Sequence, residues 1–459
     1  MDYELPEEIL NIAKAIQAKG GRALLVGGFV RDIALKRASK DYDFEVYGLE
    51  LHELEEVLGE FGEVIAVGKA FGVLRIKSFE VDISLPRRDN KTGSGHRGFM
   101  VELDPNLSFK EAATRRDLTV NSMGLDPLTG EILDPHGGLE DLKAGVLRAT
   151  DPGAFSEDPL RGLRVAQFAS RFDMQANEEL LELCRALDLS ELPGERLYWE
   201  FYKLLMKGKR PSVGMTFLRD SGLLKFFPEI EALIDVPQSP QWHPEGDVWI
   251  HTLMCLDVAA TLRTGDAFED EVLMFGILCH DFGKPESTTI EDDGRIRAIN
   301  HETRGVAPTQ RFLAQLRVGK KLTDAICAVV EFHLCPSQFA KQGAGKSAYR
   351  RLARKLDRAG INIALLERIG RADSLGRTTE NALKGLYPSG EIFLEQAKAA
   401  QVVEGPRDDA VQGRHLIERG YAPGPEFGKM LSKCRDIQDE TGLSDPAQII
   451  ERVLAEKIE

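Results

Sequence analysis

The feature that most narrows the folding options is a short apolar run, Ala23-Leu24-Leu25-Val26, that stops at Gly27-Gly28. Four apolar residues are too few for a buried helix but suit one buried strand, and the two glycines turn the chain. Phe29 to Leu35 then reads as a helix, and Tyr42 to Val46 as a second strand. A third strand is expected between Val73 and Ile83, with Val81 and Ile83 alternating around Asp82. Pro86 to Gly98, rich in glycine and polar side chains, reads as a mobile loop. From Pro159 onward apolar residues recur at spacings of three and four, the helical period. The expected fold class is therefore α+β, a small α/β head followed by all-α domains. Expected boundaries are 1–150, 151–236, 237–403 and 404–459, with Pro237-Gln238-Ser239-Pro240 as a linker and Gly405-Pro406 opening a C-terminal tail.

Composition removes several alternatives. The chain of 459 residues is 42% hydrophobic, enough for several cores, yet no eighteen-residue stretch is apolar throughout, so no membrane span is expected. The acidic start MDYELPEEIL lacks the basic-then-apolar layout of a secretory signal. Six scattered cysteines without a CxxC pair argue against a disulfide scaffold or zinc finger and for the reducing cytosol. A formal net charge of −15 speaks against nonspecific coating of DNA, though not against a local basic groove.

The first chemical constellation is VGGFVRD followed by Lys40-Asp41-Tyr42-Asp43-Phe44-Glu45. Glycine at Gly28 lets a backbone approach a ligand closely, and Arg31 one turn on offers a charge-assisted contact to phosphate. On a strand, residues two apart share a face, so Asp41 and Asp43 point the same way. Side-by-side carboxylates repel, and a hard divalent cation such as magnesium relieves that repulsion. A solvated strand face is the plain alternative for a lone DxD. Its position about ten residues after the Gly-Gly turn favours the metal. Asp82 is either a third carboxylate or a strand-edge residue.

GGFVRD, DYDFE, RRDLTVNSM (Arg115 to Met123) and SEDPLRGLRVAQF (Ser156 to Phe168) follow one another in an order that resembles the bacterial class II tRNA nucleotidyltransferases. These CCA-adding enzymes share the motifs with bacterial poly(A) polymerases and have a polymerase-β-like nucleotidyltransferase head. The resemblance implies addition of C, C and A to the tRNA 3′ end from CTP and ATP, with Asp41 and Asp43 as magnesium ligands. It also implies that Arg116, Asn121 and Arg164 contact or shape the nucleotide pocket, while Asp158 and Arg161 read the base. Cytosine and adenine both present an amine beside an acceptor nitrogen, so an Asp acceptor beside an Arg donor suits both and mismatches uracil and guanine. Spacing of three would put that pair on adjacent helical turns, where an ordinary intrahelical ion pair is the alternative. Gln167 departs from the family, which often carries arginine there. The 85–98 loop bears Arg87, Arg88, Lys91 and Arg97, cations for RNA phosphate, and by resemblance favours CCA over CC addition. ERLYWEFYKLLM reads equally as a packing helix with Leu197, Phe201, Leu204 and Leu205 inward.

A third pattern joins His251, His280-Asp281 and the distant Asp373. These resemble the ligands of HD phosphohydrolases, and imidazole with carboxylate suits nickel, manganese, iron or magnesium. Such a site lowers the pKa of water for attack on a phosphate ester. Some CCA-adding enzymes carry such a domain, acting on 2′,3′-cyclic or 2′-phosphate ends. His243, His301 and His333 are either second-metal or phosphate contacts or packing histidines. Lys and Arg outnumber Asp and Glu across 341–377, which reads as an RNA-facing patch or a solvated helix face. GRHLIERGYAPGPEFGKML resembles the family's tail motif. Two rivals remain: an A-, CC- or poly(A)-adding relative, and a phosphohydrolase whose head only binds RNA.

Overall fold

The structure is a computed structural model that describes residues 3–455, apart from 69–71, 78, 80 and 92–98. Two compact units emerge: one runs to Leu204 and includes Val213–Phe226, the other comprises Leu205–Ser212 and the chain from Phe227.

The first unit is built on a seven-stranded mixed sheet in the order β3-β4-β5-β2-β1-β8-β9. Its strands are β1 (Arg22–Val26), β2 (Tyr42–Tyr47), β3 (Val64–Gly68), β4 (Val73–Ile76), β5 (Val81–Ser84), β8 (Gly124–Leu125) and β9 (Ile132–Leu133). Period-two alternation sorts the side chains. Leu25, Phe44, Val46 and Ile83 enter one core with Ile12, Ile16 and Leu58 of the helices Glu7–Ala18 and Leu51–Gly59. Leu24 and Val26 face the other way, onto Phe109 and Ala113 of the helix Phe109–Thr114. Asp43 and Glu45 lie on this second face, because Phe44 and Val46 are committed to the first.

Two expectations change. The interval 73–83 holds two antiparallel strands rather than one, with β3 as a further neighbour. Part of the expected 86–98 loop is a hairpin, β6 (Arg87–Lys91) pairing with β7 (Phe99–Leu103). A polar strand without apolar alternation is invisible to periodicity. Arg97, offered above as an RNA contact, lies outside the described residues.

The second unit is helical around Val248–Thr261, Ala267–Cys279, Lys320–Phe332 and Ile363–Leu375. A hairpin of Thr288–Ile290 with Ile296–Ala298 interrupts the expected run of helices. The last helices, Pro425–Thr441 and Pro446–Ala455, share a core of Leu416, Met430, Ile437, Ile449 and Val453. Much of the basic run at 341–377 is consumed by packing. Arg354 pairs with Asp439 at 2.7 Å and Asp409 at 2.6 Å, Arg350 donates to the Asp439 carbonyl, and Arg368 binds Glu269. Those three arginines are structural, whereas Lys341, Lys346, Arg351, Lys355 and Arg358 stay exposed. All six cysteines are free thiols. No helix among the described residues is long and apolar enough to cross a membrane.

Candidate active sites

In the head, β1 ends at Val26; Gly27, whose φ of +70° only glycine adopts readily, turns the chain into the helix Gly28–Ala34. A Cβ at Gly27 would lie 3.4 Å from Arg116 Nη1, so the turn and Arg116 face each other. Asp41 stands exposed just before β2, and Asp43 is half-buried on it. Parallel pairing of β2 with β5 sets Asp43 opposite Asp82, whose oxygens accept from Arg75 at 2.6 and 2.8 Å. Burial, then the charges of Asp41 and Asp82, push the Asp43 carboxyl up to about 6. This is an under-neutralised cluster, the kind a divalent cation relieves.

Two acids that motif reading passed over anchor the cluster. Glu45 is fully buried and accepts from Arg115 (3.0 Å), Arg116 (3.3 Å) and the Tyr47 hydroxyl (2.8 Å). Burial alone would raise its carboxyl, but Arg116 and Arg115 hold it below the usual range. Asp117 is also buried. It accepts from Arg164 Nε at 2.7 Å and Asn121 Nδ2 at 3.0 Å, while Asn121 Oδ1 accepts from Arg31 Nη1 at 2.6 Å. Its carboxyl, raised by burial, is brought below the usual range by Arg164 and these hydrogen bonds. Both acids fall inside quoted motifs, DYDFE and RRDLTVNSM, which was the available signal.

The structure thus gives Arg31 a different environment from an open phosphate contact. It is buried, ion-paired to Asp32 and stacked over Phe172 at 4.5 Å. Asp158 and Arg161 are not two turns of one helix, because the helix begins at Leu160. Asp158 caps the Leu160 N–H and pairs with Arg196 at 3.3 Å. Arg161 donates to the carbonyls of Ala154 (2.6 Å) and Arg115 (2.7 Å). Gln167 is buried and accepts from Arg171. Arg116 Nε is buried without a hydrogen-bond partner, a spare donor beside the Gly-Gly turn.

In the second unit His251, His280, Asp281 and Asp373 do converge, and all four are buried. Carbonyl oxygens can only accept, so Nδ1 of His280, His301 and His333 must donate to Ile277, Ala298 and Val330 at 2.7–2.8 Å. That fixes the tautomer and turns each Nε2 inward. His251 differs, with Nδ1 2.9 Å from Glu245, which also lies 2.9 Å from His243 Nδ1. His251 Nε2 stands 3.1 Å from Asp373 and His280 Nε2 3.2 Å from Asp281. His301 Nε2 and His333 Nε2 face each other at 3.3 Å. Burial, reinforced by His301 and His280, pushes His333 down to about 3, and burial takes His243 to about 4, so both are neutral imidazoles near pH 7.

The donor set fits a metal. His280 Nε2 and both Asp281 oxygens are buried without a well-formed hydrogen bond, although Lys284 Nζ lies 2.7 Å from one oxygen. Ligand atoms close enough to share an ion form three groups among the described residues: His251, Cys255, His280 and Asp373; Asp281, His301 and His333; His243, Glu245 and His251. Sequence reading missed Glu245 and Cys255. The latter sits one helical turn after His251, a spacing that signals a shared face.

Comparison with known proteins places most of these residues within known domain families. Residues 23–148 match the Poly A polymerase head domain, 177–234 the family described as "Probable RNA and SrmB-binding site of polymerase A", and 248–361 the HD domain. Nucleotidyltransferase and HD domains generally use divalent metals. The chain is similar to two solved structures over 98% of its length at 20% identity. They are the Bacillus stearothermophilus CCA-adding enzyme in complex with CTP (98% of that chain, TM-score 0.67) and the Thermotoga maritima CCA-adding enzyme complexed with tRNA (96%, TM-score 0.60). Both support the fold, an α/β head with a helical remainder. Among curated proteins, the Multifunctional CCA protein of Xanthomonas euvesicatoria pv. vesicatoria is 34% identical over 420 residues, covering 90% of this chain and 96% of that protein. Its namesake from Stenotrophomonas maltophilia (strain K279a) is 33% identical over 435 residues, covering 90% and 97%. With such identity over nearly the whole of both chains, this protein belongs to the multifunctional CCA protein family.

Proposed function

We propose that the head adds C, C and A to the 3′ end of tRNA, using CTP and ATP without a nucleic-acid template, and that the HD domain hydrolyses phosphate esters. The observation that carries the first reading is the Asp41–Asp43–Asp82 carboxylate cluster, under-neutralised beside the Gly27-Gly28 turn and the spare donor of Arg116. The RNA 3′-hydroxyl attacks the α-phosphate, its proton leaves to solvent, and pyrophosphate departs. When bound, divalent cations supply charge to the triphosphate at Asp41 and Asp43 (magnesium) and a more acidic water at the HD ligands (nickel, manganese, iron or magnesium).

The other residues act through position. Gly28 keeps the backbone open to the triphosphate. Arg116 offers it a donor, while Arg31, Asn121, Asp117 and Arg164 form one bonded chain that stiffens the pocket wall. Asp158 and Arg161 read the base, which requires Arg161 to exchange at least one carbonyl partner for nucleotide. In the HD domain, His251, His280, Asp281 and Asp373 hold the metal; Asp281 lies 3.2 Å from His280 Nε2 and groups with His301 and His333. The proposed division is head to 150, neck to 236, HD domain to 403 and tail beyond. The six free thiols support a cytoplasmic setting, and neither a membrane nor DNA is an expected partner.

The test offers each of the four nucleotides separately to tRNA transcripts ending before, within and after CC. Incorporation of C, C and A with arrest is expected. Elongation past CCA would replace this reading with poly(A) synthesis, and addition of only CC or only A would narrow it.

A further inference from the structure

Beside the HD ligands lies a cavity of about 250 Å³ whose lining includes Asp281, Asp373, Lys284, Arg377, His243 and Trp242. Its floor is built for an anion near a metal. Lys284 is buried against Asp281, and Arg377 donates to Asp373 at 2.7 Å. Its rim is different. Trp242 is 56% exposed, whereas Trp249, seven residues on, is 1% exposed. An indole left in water at the mouth of a cavity lined by paired cations and carboxylates has given up the burial that usually places tryptophan.

The loop beneath that ring is pinned. The N–H groups of Trp242 and His243 both donate to the Ser239 carbonyl, at 3.0 and 2.8 Å. Gln238 accepts from Lys284 and donates to the Gly246 carbonyl. His243 is tied through Glu245, and its ring centroid lies 4.6 Å from that of His251. The main chain that carries Trp242 is therefore held in place one residue from the candidate ligand His243. The cavity is smaller than the roughly 300–1,000 Å³ of sites that enclose a whole drug-sized ligand. A phosphorylated sugar fits within it, while an attached base must lie outside, at the rim.

The geometry points to Trp242 as the base-stacking residue of the HD site, the side chain by which it favours a phosphate ester that carries a base over one that does not. This rests on the phosphohydrolase reading above. Aromatic stacking tolerates any base, so the site selects for the presence of a base and not its identity.

The full-length chain loaded with nickel or manganese is assayed with adenosine 2′-phosphate and with glycerol 2-phosphate, which has no ring. Trp242→Ala is expected to raise KM for the nucleotide about tenfold and leave the other constants within about twofold, with Trp242→Phe recovering most of the loss. Equal effects on both substrates, or none, overturn the assignment. A wild-type chain that hydrolyses neither substrate overturns the phosphohydrolase reading alone, and stacking is then decided by binding. Tryptophan fluorescence quenched by adenosine 2′-phosphate in Trp199→Phe but not in Trp242→Phe upholds it, and no difference between the two variants overturns it.

Discussion

The head and the HD domain solve the same problem, holding carboxylates ready for cations, in opposite ways. In the head, the two expected ligands come from the start of one interior strand, Asp41 exposed and Asp43 half-buried, with like charges left to repel. In the HD domain the ligands come from two helices, Val248–Thr261 and Ile363–Leu375, and from the turn that ends a third, every one is buried, and three imidazoles are locked through main-chain carbonyls. The first site is open and awaits its substrate; the second is pre-assembled. Preorganisation needs partners from many places, whereas an open site needs only a short motif and a pair of buried anchors such as Glu45 and Asp117.

The sharpest break between the two regions is functional. Replacing Asp41 and Asp43 together with alanine is expected to lower labelled CTP and ATP incorporation at least about 10³-fold while leaving phosphate-ester hydrolysis intact. Asp281→Asn should do the reverse. Loss of both activities in either variant would mean the units are not independent sites. Next in size, Asp117→Ala removes the acceptor of Arg164 and Asn121 and should cost about 2–3 kcal/mol of stability, read as a lowered denaturation midpoint. Asp41→Ala, at an exposed position, should cost almost nothing by the same measurement.

Glu245→Gln should weaken metal binding at the HD site about 10- to 100-fold, measured by calorimetric titration of the metal into the full chain, because it loosens His251. The head should not respond. The smallest effect concerns pH. Asp43 titrates near 6 in the folded chain, above its ordinary value of 3.8, so the folded state keeps a proton that the unfolded state has released. Stability therefore falls as pH rises through that window and stays lowered above it. Asp43→Asn should stabilise the metal-free chain by about 1–2 kcal/mol at pH 7.5 and make little difference at pH 4. Saturating magnesium should shrink the gap.

Local signals were legible and distant ones were not. The β1–turn–helix–β2 order and the shared face of Asp41 and Asp43 follow from residues adjacent in the chain, as does the inward set Leu197, Phe201, Leu204 and Leu205. β6 hid because RRDNK has no apolar alternation to report its pairing. The structural share of the basic run at 341–377 was hidden because the partners of Arg354 and Arg368, namely Asp409, Asp439 and Glu269, lie far away in sequence. The Asp158–Arg161 spacing suggested a shared helix, but Pro159 delays the first turn, and each finds another partner. Glu245 was equally hidden, since a loop acid between Pro244 and Gly246 looks like any solvated turn.

The three histidines anchored to main-chain oxygens carry a consequence for how this protein can diverge. A peptide carbonyl is present whatever residue bears it, so His280, His301 and His333 keep their aim through any sequence drift that spares their own turns. His251 answers instead to a side chain, Glu245, which it shares with His243. Descendants of this chain that switch metal preference should therefore carry their first change at residue 245, while the aim of those three imidazoles is inherited without selection on any neighbour.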